Sequence, residues 1–571
     1  MLTAAQKTRV TLAIMGFLMI AATLWLRLIW LQILDPDHWM TLARHQHIQF
    51  LELRPNRGAI LDRNLRPLAV SLRLTSVFAD PRHVKNPSAA ARFLAPLLKQ
   101  PEGVLKSGLS RKNRGFVWLA RRIPNQTAQK IRSKRLPGIH LMMEPKRFYP
   151  HGHLASHLVG FAGLDAQGLE GMELAYDRLL RGEPGWRWME QDARQRPVGA
   201  WEMSTVRARD GLQLVLTLDT TLQFFAEQGL DAVWEKHHPK AASIVVTDPF
   251  TGEILALANR PSFDPNGFDR SRPEDRRNRA VTDSFEPGSV FKIVTAAVAL
   301  GTQRIRPEDT FHCENGAYAV AGRVLHDHRP HGLLTFREVI TQSSNIGVAK
   351  AAMVLGPGAL YRGIRAFGFG EPTGVELPGE VGGTVKHPNQ WSRPTITAVP
   401  MGHEIAVSAL QLAQAFSVVA NGGLLIRPRI VKEIRDPSGA VVERTRTQIV
   451  RRVVTAEVAD RLKEFLVGVV EEGTGKLAAV PGFRVGGKTG TAQKTEAAGG
   501  YSHSRFVASF VGFAPAENPR LCIVVVVDEP RSVYYGGVVA APVFSQVAAN
   551  SLAYLGYRPA LVTAKNEQGS S

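Results

Sequence analysis

Residues 10–34, VTLAIMGFLMIAATLWLRLIWLQIL, contain a single charge, Arg27. As a helix this run is long enough to cross the roughly 30 Å hydrocarbon layer of a bilayer. Lys7, Arg9 and the amino terminus precede it, whereas Asp35 and Asp37 follow. Cations stay on the cytoplasmic side, so the short N-terminus is expected inside and everything past about residue 35 outside. IAAT at 20–23 offers the small residues of a cleavage site. The apolar run continues well beyond them, which favours a retained anchor over a cleaved signal peptide. No later segment is long and apolar enough to span again, and there is no internal repeat, so the chain reads as single-pass. Arg27 reads first as an interfacial residue whose stem lies along the lipid, and second as a contact to another membrane protein.

The 571 residues, 44% of them apolar, allow two to four domains with sizeable cores. A net charge of +20 admits a polyanionic partner: nucleic acid, anionic lipid or a charged cell-wall polymer. Its cations are scattered, and the densest run, RRIPNQTAQKIRSKR at 121–135, reads as a solvated amphipathic helix. Membrane and wall are favoured over nucleic acid. Cys313 and Cys522 are too few for a disulfide framework and are expected as free thiols. HGHLASH holds His151, His153 and His157 without a carboxylate or cysteine at ligand spacing, so no metal is expected, and nothing asks for a cofactor.

The chain divides into a cytoplasmic tail (1–9), a transmembrane helix (10–34), a segment of short strands and modest helices (35–209), a large domain (210–560) and a disordered tail (561–571). In the second segment ILDRNLRPLAV reads as two strand pieces around an Asp-Arg-Asn turn. In the large domain DGLQLVLTLD alternates like a strand, and AASIVVTDPFTGEILALAN reads as a hairpin turning at 249–252. Helical patterns follow. Thr335 and Glu338 form a capping box, SALQLAQAFSVVA runs over 408–420 into Gly422, and TAEVADRLKEFLVGVVEE spans 455–472. GFRVGGKTGTAQ, RFVASFVGFA and RLCIVVVVDE return to strand, and an Ala-rich helix closes the domain near 541–555. Strands at both ends with helices between give an α+β fold, an antiparallel sheet packed with helices.

Three short motifs carry chemistry. FEPGSVFK places Ser289 three residues before Lys292 at the start of a helix, where hydroxyl and amine share a face, as in a nucleophile beside its base. QSSNIG supplies Ser343 and Asn345 around a variable middle residue, and GGKTGTA supplies Lys488, Thr489, Gly490 and Thr491. Acyl transfer needs a neutral Lys292 to take the Ser289 proton, a state that burial and a neighbouring Lys488 charge would favour. Ser343 is placed to relay a proton toward a leaving amine, and Asn345 to hold the Lys292 amine and a substrate amide. The Lys-Thr-Gly-Thr run reads as an edge strand to which a peptide adds, with Gly490 allowing close approach. Lys488 and Thr489 suit a substrate carboxylate, and the backbone N–H groups of Ser289 and Thr491 an oxyanion hole. EGTGKL at 472–477 lacks the glycine and the hydroxyl of a phosphate-binding loop and reads as a helix C-cap.

Together and in this order the motifs resemble those of penicillin-binding proteins and class A β-lactamases. RGAILDRN, RFYPHG, GLEGMELAYD, NRAVTDSFEPGSVFK, SALQLA and YYGGVVAAPVF extend the resemblance over nearly the whole chain, to the class B penicillin-binding proteins of the division type in Gram-negative bacteria. Val290-Phe291 is an ordinary departure from the Thr or Ser, Val or Met usual inside that family's nucleophile motif. The resemblance implies an inner-membrane anchor, an extended pedestal of the class B dimerisation type, and a periplasmic penicillin-recognising D,D-transpeptidase domain at the septum. It also implies D-Ala-D-Ala stem peptides and β-lactams as ligands, and a multi-pass lipid II polymerase among the division-complex partners. An elongation-type transpeptidase, a D,D-carboxypeptidase and a non-catalytic β-lactam-binding scaffold are the alternatives.

Overall fold

A computed structural model describes residues 3–35, 48–190, 205–496 and 499–559, and its contacts gather into two units. The first comprises 1–56 with 182–210, the second 57–181 with 211–571. The stretch expected as a pedestal is therefore shared between them.

In the first unit the apolar run is a helix, Ala4–Ile29, ending in a wider turn, Trp30–Leu34. Its mean hydropathy of 2.1 and its length are those of a membrane-crossing helix, the single one among the described residues. The Arg27 guanidinium lies 4.4 Å from the centre of the Trp30 ring. An antiparallel sheet of Ile48–Leu53, Gly185–Glu190 and Thr205–Val206 completes this unit.

The second unit is built on two sheets. In one, the long strand Pro67–Ala79 pairs antiparallel with Ile139–Phe148 and Val117–Ile123. Helices Pro87–Leu98, Glu102–Leu109 and Asn125–Lys134 bury Val77, Leu94, Leu105 and Ile131 against one of its faces. The densest basic run thus forms a helix with only Ala128 and Ile131 buried. Ile60–Leu61 joins Pro67–Ala79 to Gln213–Leu216, which continues to Val431–Arg435, so one sheet runs through both stretches of the unit. Below this sheet Glu173 is fully buried between two arginines, 2.5 Å from both Arg57 Nε and Arg147 Nε.

The other sheet has the strand order Ile254–Arg260, Ala241–Thr247, Leu521–Asp528, Tyr501–Ala514, Gly486–Thr495, all antiparallel. Its central strand reads CIVVVV without alternation because both faces are covered. Ile523, Val525 and Val527 pack with helices Thr220–His237 and Ala541–Tyr554, while Val524 and Val526 face Ala409–Ala420. The capping boxes hold the predicted helix starts, Thr335 with Glu338 and Ser408 with Gln411. Both cysteines are buried and free. His157 turns inward and meets the Asp275 carbonyl at 2.9 Å, whereas His151 and His153 stay exposed.

Candidate active site

Pro287 and Gly288 turn the chain into a 3₁₀ segment, Gly288–Phe291, that continues as the helix Lys292–Gly301. Gly288 has φ +58°, and a Cβ there would stand 3.0 Å from the Thr491 carbonyl, so only glycine lets the nucleophile turn lie against the edge strand. Ser289 is half-buried at this turn. Phe291, the departure from the family pattern, is fully buried edge-on to Phe369, 5.3 Å between ring centres. It fills core.

Lys292 is fully buried, and its amine donates to the Ser343 carbonyl at 2.5 Å, Asn345 Oδ1 at 2.8 Å and Ser343 Oγ at 3.2 Å. Among the described residues no hydrogen bond joins it to Ser289, the partner that helical spacing suggested. Its amine is turned instead toward the Ser-Ser-Asn segment. Ser343 has φ +61°, a left-handed conformation that non-glycine residues adopt at a cost of about 1–3 kcal/mol. Ser344, read from sequence as variable, caps the helix Asn345–Leu355 by accepting from Gly347 N–H at 2.9 Å.

Lys488, expected to face a substrate carboxylate, is turned toward Ser343. It is fully buried, donating to Ser343 Oγ at 2.8 Å and to the Thr489 carbonyl at 3.3 Å. The Ser343 hydroxyl therefore lies between two lysine amines. Burial pushes Lys292 down from 10.5 to about 7, against the opposing pull of the Asp327 carboxylate. Burial pushes Lys488 well below 10.5 as well, and neighbouring Lys292 adds to the depression. Burial thus favours the neutral form at both amines, the direction expected for Lys292.

The Lys-Thr-Gly segment does lie on an edge strand, Gly486–Thr495. Gly490 serves a close approach within the protein: a Cβ there would meet Ser509 Oγ at 2.3 Å and the Pro287 carbonyl at 2.9 Å. Thr491 Oγ1 accepts from Gly536 N–H at 3.0 Å, tying the strand to the YYGG segment.

Two participants were not singled out by sequence. Asp327 accepts from Ser344 Oγ at 2.6 Å, Asn345 N–H at 2.5 Å and Ile346 N–H at 3.0 Å. It fixes the helix start that presents Asn345, and its sole signal was an acid in HDHRPHG, 17 residues upstream of its hydroxyl partner. Thr474, in the EGTGKL loop, places its hydroxyl 2.7 Å from that of Thr489. That loop does close a helix, with Gly473 N–H returning to the Gly468 carbonyl at 3.0 Å.

Ser289 on a tight turn, two buried amines sharing one hydroxyl, and an open strand edge define a site for acyl chemistry on a peptide. Residues 242–549 match the penicillin binding protein transpeptidase domain, and residues 52–216 the penicillin-binding protein dimerisation domain. The chain is 36% identical to stage V sporulation protein D of Bacillus subtilis over 541 residues, 93% of this chain and 83% of that protein. It is 32% identical to the peptidoglycan D,D-transpeptidase FtsI of Escherichia coli K12 over 551 residues, 95% of this chain and 91% of that protein. Among solved structures, penicillin binding protein 3 of Mycobacterium tuberculosis in complex with aztreonam superposes with a TM-score of 0.70 at 28% identity, covering 89% of this chain and 99% of that one. The chain belongs to the class B penicillin-binding proteins.

Proposed function

We propose that the chain cross-links peptidoglycan stem peptides by D,D-transpeptidation through an acyl-Ser289 intermediate, and that β-lactams acylate the same hydroxyl. The observation that carries this reading is the convergence of Lys292 and Lys488 on Ser343 Oγ beside the Ser289 turn. Ser289 Oγ attacks the carbonyl of the penultimate D-Ala while neutral Lys292 accepts its proton. The bond to the terminal D-Ala breaks, and the proton passes through Ser343 to the departing amine. An amine of a neighbouring stem peptide then attacks the ester and releases Ser289. The peptide lies along Gly486–Thr495, with its carboxylate toward Thr489 and Thr491 and its carbonyl oxygen toward the N–H groups of Ser289 and Thr491. Intact mass after benzylpenicillin treatment, followed by peptide mapping, tests this: one adduct on the Ser289 peptide, absent from Ser289→Ala. A label that persists on Ser289→Ala refutes it.

The anchor and its flanking charges support insertion in the inner membrane with the catalytic domain in the periplasm. Similarity in GLEGMELAYD and YYGGVVAAPVF supports a septal rather than an elongation role, with a multi-pass lipid II polymerase as partner. Depletion should then give filaments, whereas rounded cells would assign the chain to elongation.

A further inference from the structure

Residues 57–181 carry a feature that the reaction does not use. In the sheet around Pro67–Ala79, Phe78 lies opposite Trp118 and His140, on the face turned away from the helices that cover Val77 and Ala79. Phe116 stacks on Phe78 with ring centres 4.7 Å apart, His140 stacks on Phe78 at 5.2 Å, and Trp118 stands edge-on to Phe116 at 4.9 Å. Phe116 and Trp118 are 44% and 37% exposed, so these rings form a platform open to solvent. Buried rings would be ordinary core. Exposed stacked rings of this kind mark a contact surface.

The loop that leads into the platform, RKNRG, exposes Arg111, Lys112 and Arg114. Among the described residues none of the three pairs with a carboxylate. Lys112 is held by the carbonyls of Pro81 and Val84 at 2.6 and 2.7 Å, which fixes its position without neutralising it. Flat aromatic faces accept the C–H faces of sugar rings, because the ring quadrupole is negative above its plane. Unpaired arginines beside them accept carboxylates through charge-assisted hydrogen bonds. Trp118 stands across Phe116, and the Arg121 guanidinium lies 5.3 Å from the centre of the Trp118 ring, so cations border the rings on both sides and favour a polymer that carries carboxylates.

We propose that this face binds the glycan strand of peptidoglycan, stacking a sugar ring on Phe116 with Trp118 standing at its edge, and pairing carboxylates of the strand with Arg111 and Arg114. The identity of the polymer rests on the function proposed above. This face and Ser289 belong to the same compact unit.

The test is co-sedimentation of the full-length, detergent-solubilised protein with insoluble peptidoglycan, after Ser289 has been blocked with benzylpenicillin. The acylated protein should pellet. Phe116→Ala with Trp118→Ala should weaken pelleting about tenfold or more, as truncation of aromatic anchors does. The exposed pair Arg111→Glu with Arg114→Glu should do the same with no demand on the core, and both variants should acylate at the wild-type rate. Wild-type protein that stays in the supernatant, or variants that pellet equally, would overturn the proposal. So would equal pelleting with anionic phospholipid vesicles in place of peptidoglycan, or platform variants that bind peptidoglycan normally but lose a captured protein partner. Failure to acylate at all would instead remove the proposed function.

Discussion

An ordinary lysine with a pKa of 10.5 is neutral in only about one molecule in 3,000 at pH 7, whereas one near 7 is neutral in about half. Burial brings Lys292 into that second condition. The difference, about 5 kcal/mol, amounts to roughly a thousandfold more competent base at neutral pH. The acylation rate constant with a fluorescent penicillin should therefore rise with pH through an apparent midpoint near 7 and level off above it. Asp327→Asn sharpens the test. The carboxylate favours the Lys292 ammonium, so its loss should move the midpoint to lower pH. The asparagine oxygen still offers an acceptor to the Asn345 and Ile346 amides. Rates measured from pH 5.5 to 9 at constant ionic strength would refute the reasoning if they were flat, or if the variant's midpoint moved upward.

Lys292→Ala should cost about 10² to 10⁴ in acylation rate, the contribution of a positioned base. Lys488→Ala should slow acylation as well, because its amine meets Ser343; pre-steady-state kinetics showing only a raised KM would return Lys488 to carboxylate binding alone. Lys488→Met should raise Tm at neutral pH. Between its depressed folded pKa and 10.5 the unfolded chain binds more protons, so wild-type stability rises with pH there, and the variant's advantage should shrink toward pH 10.5. Glu173→Ala should cost about 3–5 kcal/mol in urea denaturation, since it leaves Arg57 and Arg147 buried without their shared carboxylate; a loss under 1 kcal/mol would contradict that account.

Elements decided by neighbouring residues were legible in the sequence. The hairpin of Ala241–Thr247 with Ile254–Arg260, the capped helices and the two strands around the 515–520 turn follow from alternation, capping residues and turn chemistry. What joins distant segments was not legible. Gln213–Leu216 has a strand pattern, but nothing in it says that Ile60–Leu61 will lie on one side and Val431–Arg435 on the other. The motifs likewise single out candidate residues and their order, yet Lys488 reads as a cation for a substrate carboxylate, and only packing turns its amine toward Ser343. Asp327 and Thr474 were invisible for the same reason. Each contacts a motif across a chain separation that no local pattern encodes.

The three motifs occupy three elements: a helix in the apolar core, the start of another helix and the edge of a sheet. Ser343 Oγ is the one atom bonded from both lysines, so it registers the helical part of the domain against the sheet. That position costs Ser343 a left-handed backbone, and the compensation is the neighbouring capped helix start, where Asp327 collects three hydrogen bonds. Any shift between the helices and the strand Gly486–Thr495 therefore lengthens one lysine bond or the other before it changes Ser289 itself. On the proposed mechanism the reactivity of Ser289 follows from how the two layers pack, and substitutions at that seam should change acylation without touching a motif residue.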